Sequence, residues 1–171
     1  MPFPTDSVPS VGPQAAAVIG GSFLTGAMAC LSGVVIPVFL DTDTDSAHLL
    51  RQWVRVYHYG HIYMPTLCVG TFGLYQYTAL HKYRKNGDWL LYAVAGATTI
   101  AMVPFTWIFM APTNNVLFGL DKSATTSTLV ENFASVQNIV VKWSWLHDFR
   151  CIFPFVGVLL GFRGILRELG A

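Results

Sequence analysis

Residues 15–40 contain no charged side chain, and neither do residues 90–111. A helix needs about 20 predominantly apolar residues to cross the hydrocarbon of a bilayer. In that medium no water satisfies a free backbone N–H or C=O, so a spanning chain is confined to helices or a closed barrel. Of the 171 residues, 53% are apolar and only 11% are charged, whereas a soluble domain carries about 25% charged residues. The shortfall implies a surface that meets lipid. The net charge of +1, with no basic stripe, gives no ground for a nucleic-acid partner. Cys30, Cys68 and Cys151 each sit in an apolar run and form no CxxC pair, so they read as small buried hydrophobes.

Two further spans complete a bundle. The second runs over residues 59–80 and stops at the basic stretch "HKYRKNGDW"; the third, 90–111, is interrupted by Pro104. Residues 1–14, "MPFPTDSVPSVGPQ", hold four prolines and no Lys or Arg, and read as a flexible tail rather than a signal peptide. Residues 15–171 then form a single four-span domain with a polar loop at about 113–137. The expected fold is an all-α integral membrane four-helix bundle, up-down-up-down. The Lys82, Arg84 and Lys85 cluster puts that loop and both termini on the cytoplasmic side, in the endoplasmic reticulum or another endomembrane. Within the first span Ala17, Gly21, Thr25, Ala29 and Gly33 recur every fourth residue, a small-residue stripe suited to close helix packing. Ahead of the second span, Ser46 can cap a helix.

The fourth span is the informative one. Only twelve uncharged residues, "CIFPFVGVLLGF", separate Arg150 from Arg163. A span of about 20 residues must therefore begin near Trp143 to His147, which draws His147, Asp148 and Arg150 into the membrane. Ionisable residues at such depth are costly and commonly serve function. The same ruler places His58 and His61 at one end of the second span. Asn114 and Asn115 of "MAPTNNVL" fall at the matching end of the third, where Pro112 and the two amides read as a helix stop. His58, His61, Asn114, Asn115, His147 and Arg150 thus share a side and a depth.

No GxSxG, HExxH, GxGxxG or P-loop motif is present, so no nucleotide cofactor is called for. His58, His61 and His147 could bind copper or iron, and two facing histidines could hold a haem. The alternative for His58 and His61 is membership of an interfacial aromatic belt with Tyr57, Tyr59 and Tyr63. Trp143, His147 and Arg150 fall at i, i+4 and i+7, one helix face. A histidine beside a guanidinium in a dry pocket stays neutral and able to accept a proton, while the arginine suits a developing oxyanion. The competing structural role is an Arg150–Asp148 or Arg150–Asp121 ion pair.

With "RQW" before the second span, "MAPTNNVL" after the third and "WSWLHDFR" opening the fourth, the chain resembles the DUF1772 family, and within it the fungal anthrone oxygenases. The recurring polar segments of that family match Pro112, Asn114, Asn115 and Leu117, and Trp143, His147 and Arg150. The resemblance implies a monooxygenase that turns an anthrone, an aromatic polyketide of secondary metabolism, into its quinone with dioxygen and without flavin or nicotinamide. His147 would be the general base, with Arg150 and Asn114 or Asn115 stabilising the anion. Trp53, Trp143 and Trp145 would wall a flat pocket, and Arg51, His58 and His61 would complete the substrate contacts. The other classes left open are a tetraspan scaffold or carrier and a metal- or haem-dependent oxidoreductase. Assembly into a homo-oligomer is left open as well.

Overall fold

The computed structural model describes residues 12–126 and 132–170. They form four long helices, α1 (Gly12–Thr42), α2 (Ser46–Arg84), α3 (Leu90–Thr126) and α4 (Phe133–Glu168), with no strand among the described residues. Two of the starts have a local cause in a side-chain cap. The Asp45 carboxylate, on extended backbone, accepts from the N–H groups of Ala47 and His48, satisfying donors that a helix start leaves orphaned. Ser46, the expected cap, is already the first residue inside α2. The Asn132 side chain accepts from Ala134 N–H and opens α4. Asn86, at φ 54°, turns the chain between α2 and α3, a left-handed position that asparagine tolerates.

α1 packs on α2 and α4, and α3 packs on the same two helices. One end is tied by polar side chains around Glu168: the Gln14 amide and the Tyr92 hydroxyl donate to its carboxylate, and Lys82 Nζ lies 2.8 Å from it. At the other end the Gln137 amide donates to the Leu40 carbonyl at 3.4 Å. Three apolar layers fill the interior. Ala17, Tyr75, Ala79, Tyr92 and Ala95 form the layer near Glu168. Leu24, Met28, Cys68, Met102 and Cys151 form the middle one. The third gathers Trp53, Trp143, Met110, Leu117 and Val140 among others.

Three helices, α1, α3 and α4, are long and apolar enough to cross a membrane. α2 has the length but carries Arg51, Arg55, His58 and His61 in its first half. Large apolar side chains such as Phe23, Trp107, Ile108, Phe149 and Leu159 face outward, an exposure that a water-facing monomer does not sustain. Threonine hydroxyls at 25, 66, 78, 98, 99 and 106 donate to the carbonyl four residues earlier, which keeps their polarity satisfied within the helix.

The helices outrun the sequence-based spans. Of the proline-rich tail expected over 1–14, residues 1–11 lie outside the described residues, while Pro13 and Gln14 are helical. The polar loop expected at 113–137 is helical over 113–126 and 133–137; residues 127–131 lie outside the described set. Pro112 is therefore no helix stop. A π turn, Thr106–Met110, ends two residues before it, and Ala111 N–H bonds back to Thr106 O. The coil has already left i→i−4 register where the proline withholds its N–H. α1 repeats the device with the π turn Leu31–Val35 ahead of Pro37.

The small-residue stripe is also redrawn. The buried face of α1 runs Gln14, Ala17, Gly21, Leu24 and Met28, while Ala29 and Gly33 are exposed. A strict four-residue repeat drifts by roughly 40° per step around a helix of 3.6 residues per turn, so it leaves the interface. Of the stripe, Gly21 does lie close to α4, where a Cβ would sit 2.8 Å from Val158, and further close approach is made by the glycines of α4. A Cβ on Gly161 would sit 2.5 Å from the Tyr75 hydroxyl, and one on Gly164 2.7 Å from the Tyr92 ring. Gly161→Ala is expected to lower the detergent unfolding midpoint by overpacking, at a cost of about 1–3 kcal/mol. Gly33→Ala, which meets nothing within 4 Å, serves as the control and should leave the midpoint in place.

Candidate functional site

A cavity of about 230 Å³ opens among the helices beside the second π turn. α2 supplies Tyr57, Gly60, His61, Met64 and Pro65, α3 supplies Met102, Thr106, Trp107, Met110 and Asn114, and α4 supplies Trp143, His147 and Arg150. The wall is mainly apolar and aromatic, with few polar groups, the usual make-up of a small-molecule site. His61 and Trp107, both exposed, mark its mouth on the outer surface.

The hydrogen bonds of the polar members fix their protonation patterns. A guanidinium only donates. Arg150 Nη2 lies 2.7 Å from His147 Nδ1, so that nitrogen accepts. His147 Nε2 therefore carries the proton and donates it to the Met28 carbonyl at 3.1 Å. Arg150 Nη1 donates to Thr106 Oγ1 at 3.0 Å, and that hydroxyl's own proton goes to Met102 O at 2.8 Å. Two of the five guanidinium N–H groups are thus held by neutral acceptors, and Nε has no partner. Among the described residues no carboxylate forms a salt bridge with Arg150; neither Asp148 nor Asp121 pairs with it.

Asn114 is oriented by the same logic. The indole N–H of Trp143 only donates, and it meets Asn114 Oδ1 at 2.9 Å. The amide oxygen is thereby committed, and the NH2 end is left to serve the cavity that Asn114 lines. Trp143 stacks on His147 with centroids 5.0 Å apart and meets Trp53 edge-on at 5.7 Å.

The structure brings His61, Asn114, Trp143, His147 and Arg150 to one cavity and leaves several expected partners outside it. Asn115 is exposed and absent from the lining, although it is adjacent to Asn114. With Pro112 inside a continuous helix, Asn114 and Asn115 point about 100° apart, and Asn114 is the one turned inward. Trp145 is exposed on the outer surface for the same reason. Trp53 is fully buried behind Trp143 and supports the wall without lining it. Arg51 is exposed near Asp45, and His58 is exposed beside Tyr59 and His61. The suggested set of His58, His61 and His147 is not gathered. Among the described residues no group of three or more His, Cys, Asp or Glu side chains is placed to hold a metal ion. The expected base His147 has its single lone pair occupied by Arg150. Thr106 and the Met28 carbonyl, which fix Arg150 and His147, were not anticipated. No motif in the sequence marks them.

Helices long and apolar enough to cross a membrane, around a mainly apolar cavity lined by a cation and no carboxylate, describe a membrane protein with a small-molecule site. The chain belongs to the anthrone oxygenase family, whose sequence model matches residues 53–160. An anthrone oxygenase of Cryptosporiopsis sp. is 51% identical over 165 residues, covering 94% of this chain and 92% of the relative. One from Aspergillus novofumigatus is 54% identical over 157 residues, covering 91% and 94%. A noranthrone monooxygenase of Aspergillus flavus is 37% identical over 155 residues, covering 91% and 74%. No solved structure matches the chain.

The Trp143–Asn114 bond is open to test. Trp143→Phe keeps an aromatic ring beside His147 but removes the indole N–H, stranding the buried Asn114 oxygen. Trp143→Phe should lower the unfolding free energy in detergent by about 1–3 kcal/mol more than the outward-facing Trp145→Phe does. Equal midpoints for the two variants would show that the bond holds nothing in place.

Proposed function

We propose that this protein is a membrane oxygenase that converts an anthrone-type aromatic polyketide to its quinone with dioxygen, in a four-span, up-down-up-down bundle. The topology is supported by contacts from the start of α1 to the end of α4 at one end and from the end of α1 to the start of α4 at the other. The observation that carries the chemistry is Arg150, a guanidinium on an apolar cavity with, among the described residues, no counter-ion and three N–H groups left unengaged.

An anthrone's central CH2 is acidic because the anion left behind is an aromatic alkoxide. Loss of that proton moves negative charge onto the ring oxygen. Arg150, with the Asn114 NH2, supplies donors for that oxygen in a water-poor setting, where such stabilisation is strongest. His147 acts as a positioning residue, holding the guanidinium through Nδ1 while Met28 holds His147. The electron-rich anion passes an electron to dioxygen, and recombination at the same carbon with a proton gives a hydroperoxide. Loss of water then leaves the carbonyl. One oxygen atom enters the quinone and the other leaves as water, so the CH2 group supplies all four electrons. No external reductant or resident cofactor is required by this balance.

Purified protein in detergent should convert an anthrone under ¹⁸O2 to a quinone carrying one labelled atom, faster than autoxidation and without loss of rate on chelation. Arg150→Met should reduce the enzymatic rate by about 10²–10³-fold, the range for losing an oxyanion donor. A wild-type rate equal to autoxidation would overturn the activity; a chelator-sensitive rate with bound copper or iron would replace the cofactor-free route.

A further inference from the structure

We infer that His61 is the catalytic base that takes the proton from the substrate's central CH2, an assignment that rests on the anthrone reading above. The cavity lining contains no Asp, Glu or Lys; its basic nitrogens belong to His61, His147 and Arg150. Arg150 is a permanent cation, and both nitrogens of His147 are engaged, one by Arg150 and one by the Met28 carbonyl. His61 is arranged differently. Its Nδ1 lies 3.1 Å from the Tyr57 carbonyl. A carbonyl only accepts, so Nδ1 carries the proton and Nε2 keeps its lone pair. This tautomer is held by a backbone atom one turn back on the same helix, and the ring is stacked on Tyr57 with centroids 5.5 Å apart and planes 14° apart.

Such a histidine has the two properties a general base needs: a free nitrogen and a fixed orientation. Its place at the cavity mouth adds a third. The proton received on Nε2 can be handed on there, because His61 is exposed beside the exposed His58, with ring centroids 5.8 Å apart, whereas His147 is fully buried. The division of labour follows: α2 removes the proton, and α4 holds the charge that proton loss creates.

The test separates proton removal from oxygen chemistry. Under anaerobic conditions in deuterated buffer, the wild-type protein in detergent should speed exchange of the anthrone CH2 protons above background. His61→Gln should lose about 10²–10⁴-fold in both this exchange and aerobic quinone formation, the range for a general base, with KM held. Added imidazole should restore both rates in His61→Ala. Overturning results are wild-type rates in His61→Gln, a loss marked by raised KM without imidazole rescue, or wild-type oxidation without enhanced exchange. Absence of both exchange and oxidation in the wild type would instead strike the anthrone reading itself.

Discussion

A guanidinium with no carboxylate partner among the described residues is the constraint around which this structure is arranged. Taking an isolated ion out of water costs several kcal/mol even after relaxation, so every acceptor offered to Arg150 must be firmly oriented. Thr106 and His147 are both neutral, and each is fixed in turn by a backbone carbonyl, of Met102 and of Met28. One cation thereby ties α1, α3 and α4 together through four hydrogen bonds. Replacing those acceptors with a carboxylate would hold the arginine more tightly and cancel the charge that an incoming oxyanion needs.

The bundle keeps this demand apart from its own cohesion. Near Glu168 the interface is built from glycines lying against tyrosine rings, with Gly161 on Tyr75 and Gly164 on Tyr92, and the helices are in close contact. Around the cavity the filling is large and aromatic: Trp53, Tyr57, Phe118 and Trp143 touch edge to face. Close backbone approach favours the first kind of packing and leaves no room for a ligand. Broad aromatic walls provide the second.

Charge spacing made the helices legible. Twelve uncharged residues between Arg150 and Arg163 are too few for a span, and α4 does run unbroken through His147 and Arg150. Helical phase was harder to read. Asn114 lines the cavity and Asn115 does not; Trp143 does and Trp145 does not. Those choices turn on about 100° of rotation per residue, and each π turn shifts the phase by one residue without any charged residue inside it. Pro112 misled for a related reason, since its usual meaning assumes an α-helix before it. The tautomers of His61 and His147 depend on which carbonyls lie nearby, and spacing along the chain carries no such information.

Both π turns lie beside the site: Leu31 of the first and Thr106, Trp107 and Met110 of the second line the cavity. A π turn is one residue more than the α-helix it interrupts. In genetic terms, each corresponds to a single codon beyond a regular helix, accommodated without breaking it. Deleting one residue within Leu31–Val35 or Thr106–Met110 would restore regular coil and rotate everything beyond it by about 100°. Such a chain could remain an apolar bundle while turning Thr106 or Asn114 away from Arg150. The step between a membrane bundle with a site and one without it is therefore as small as a codon.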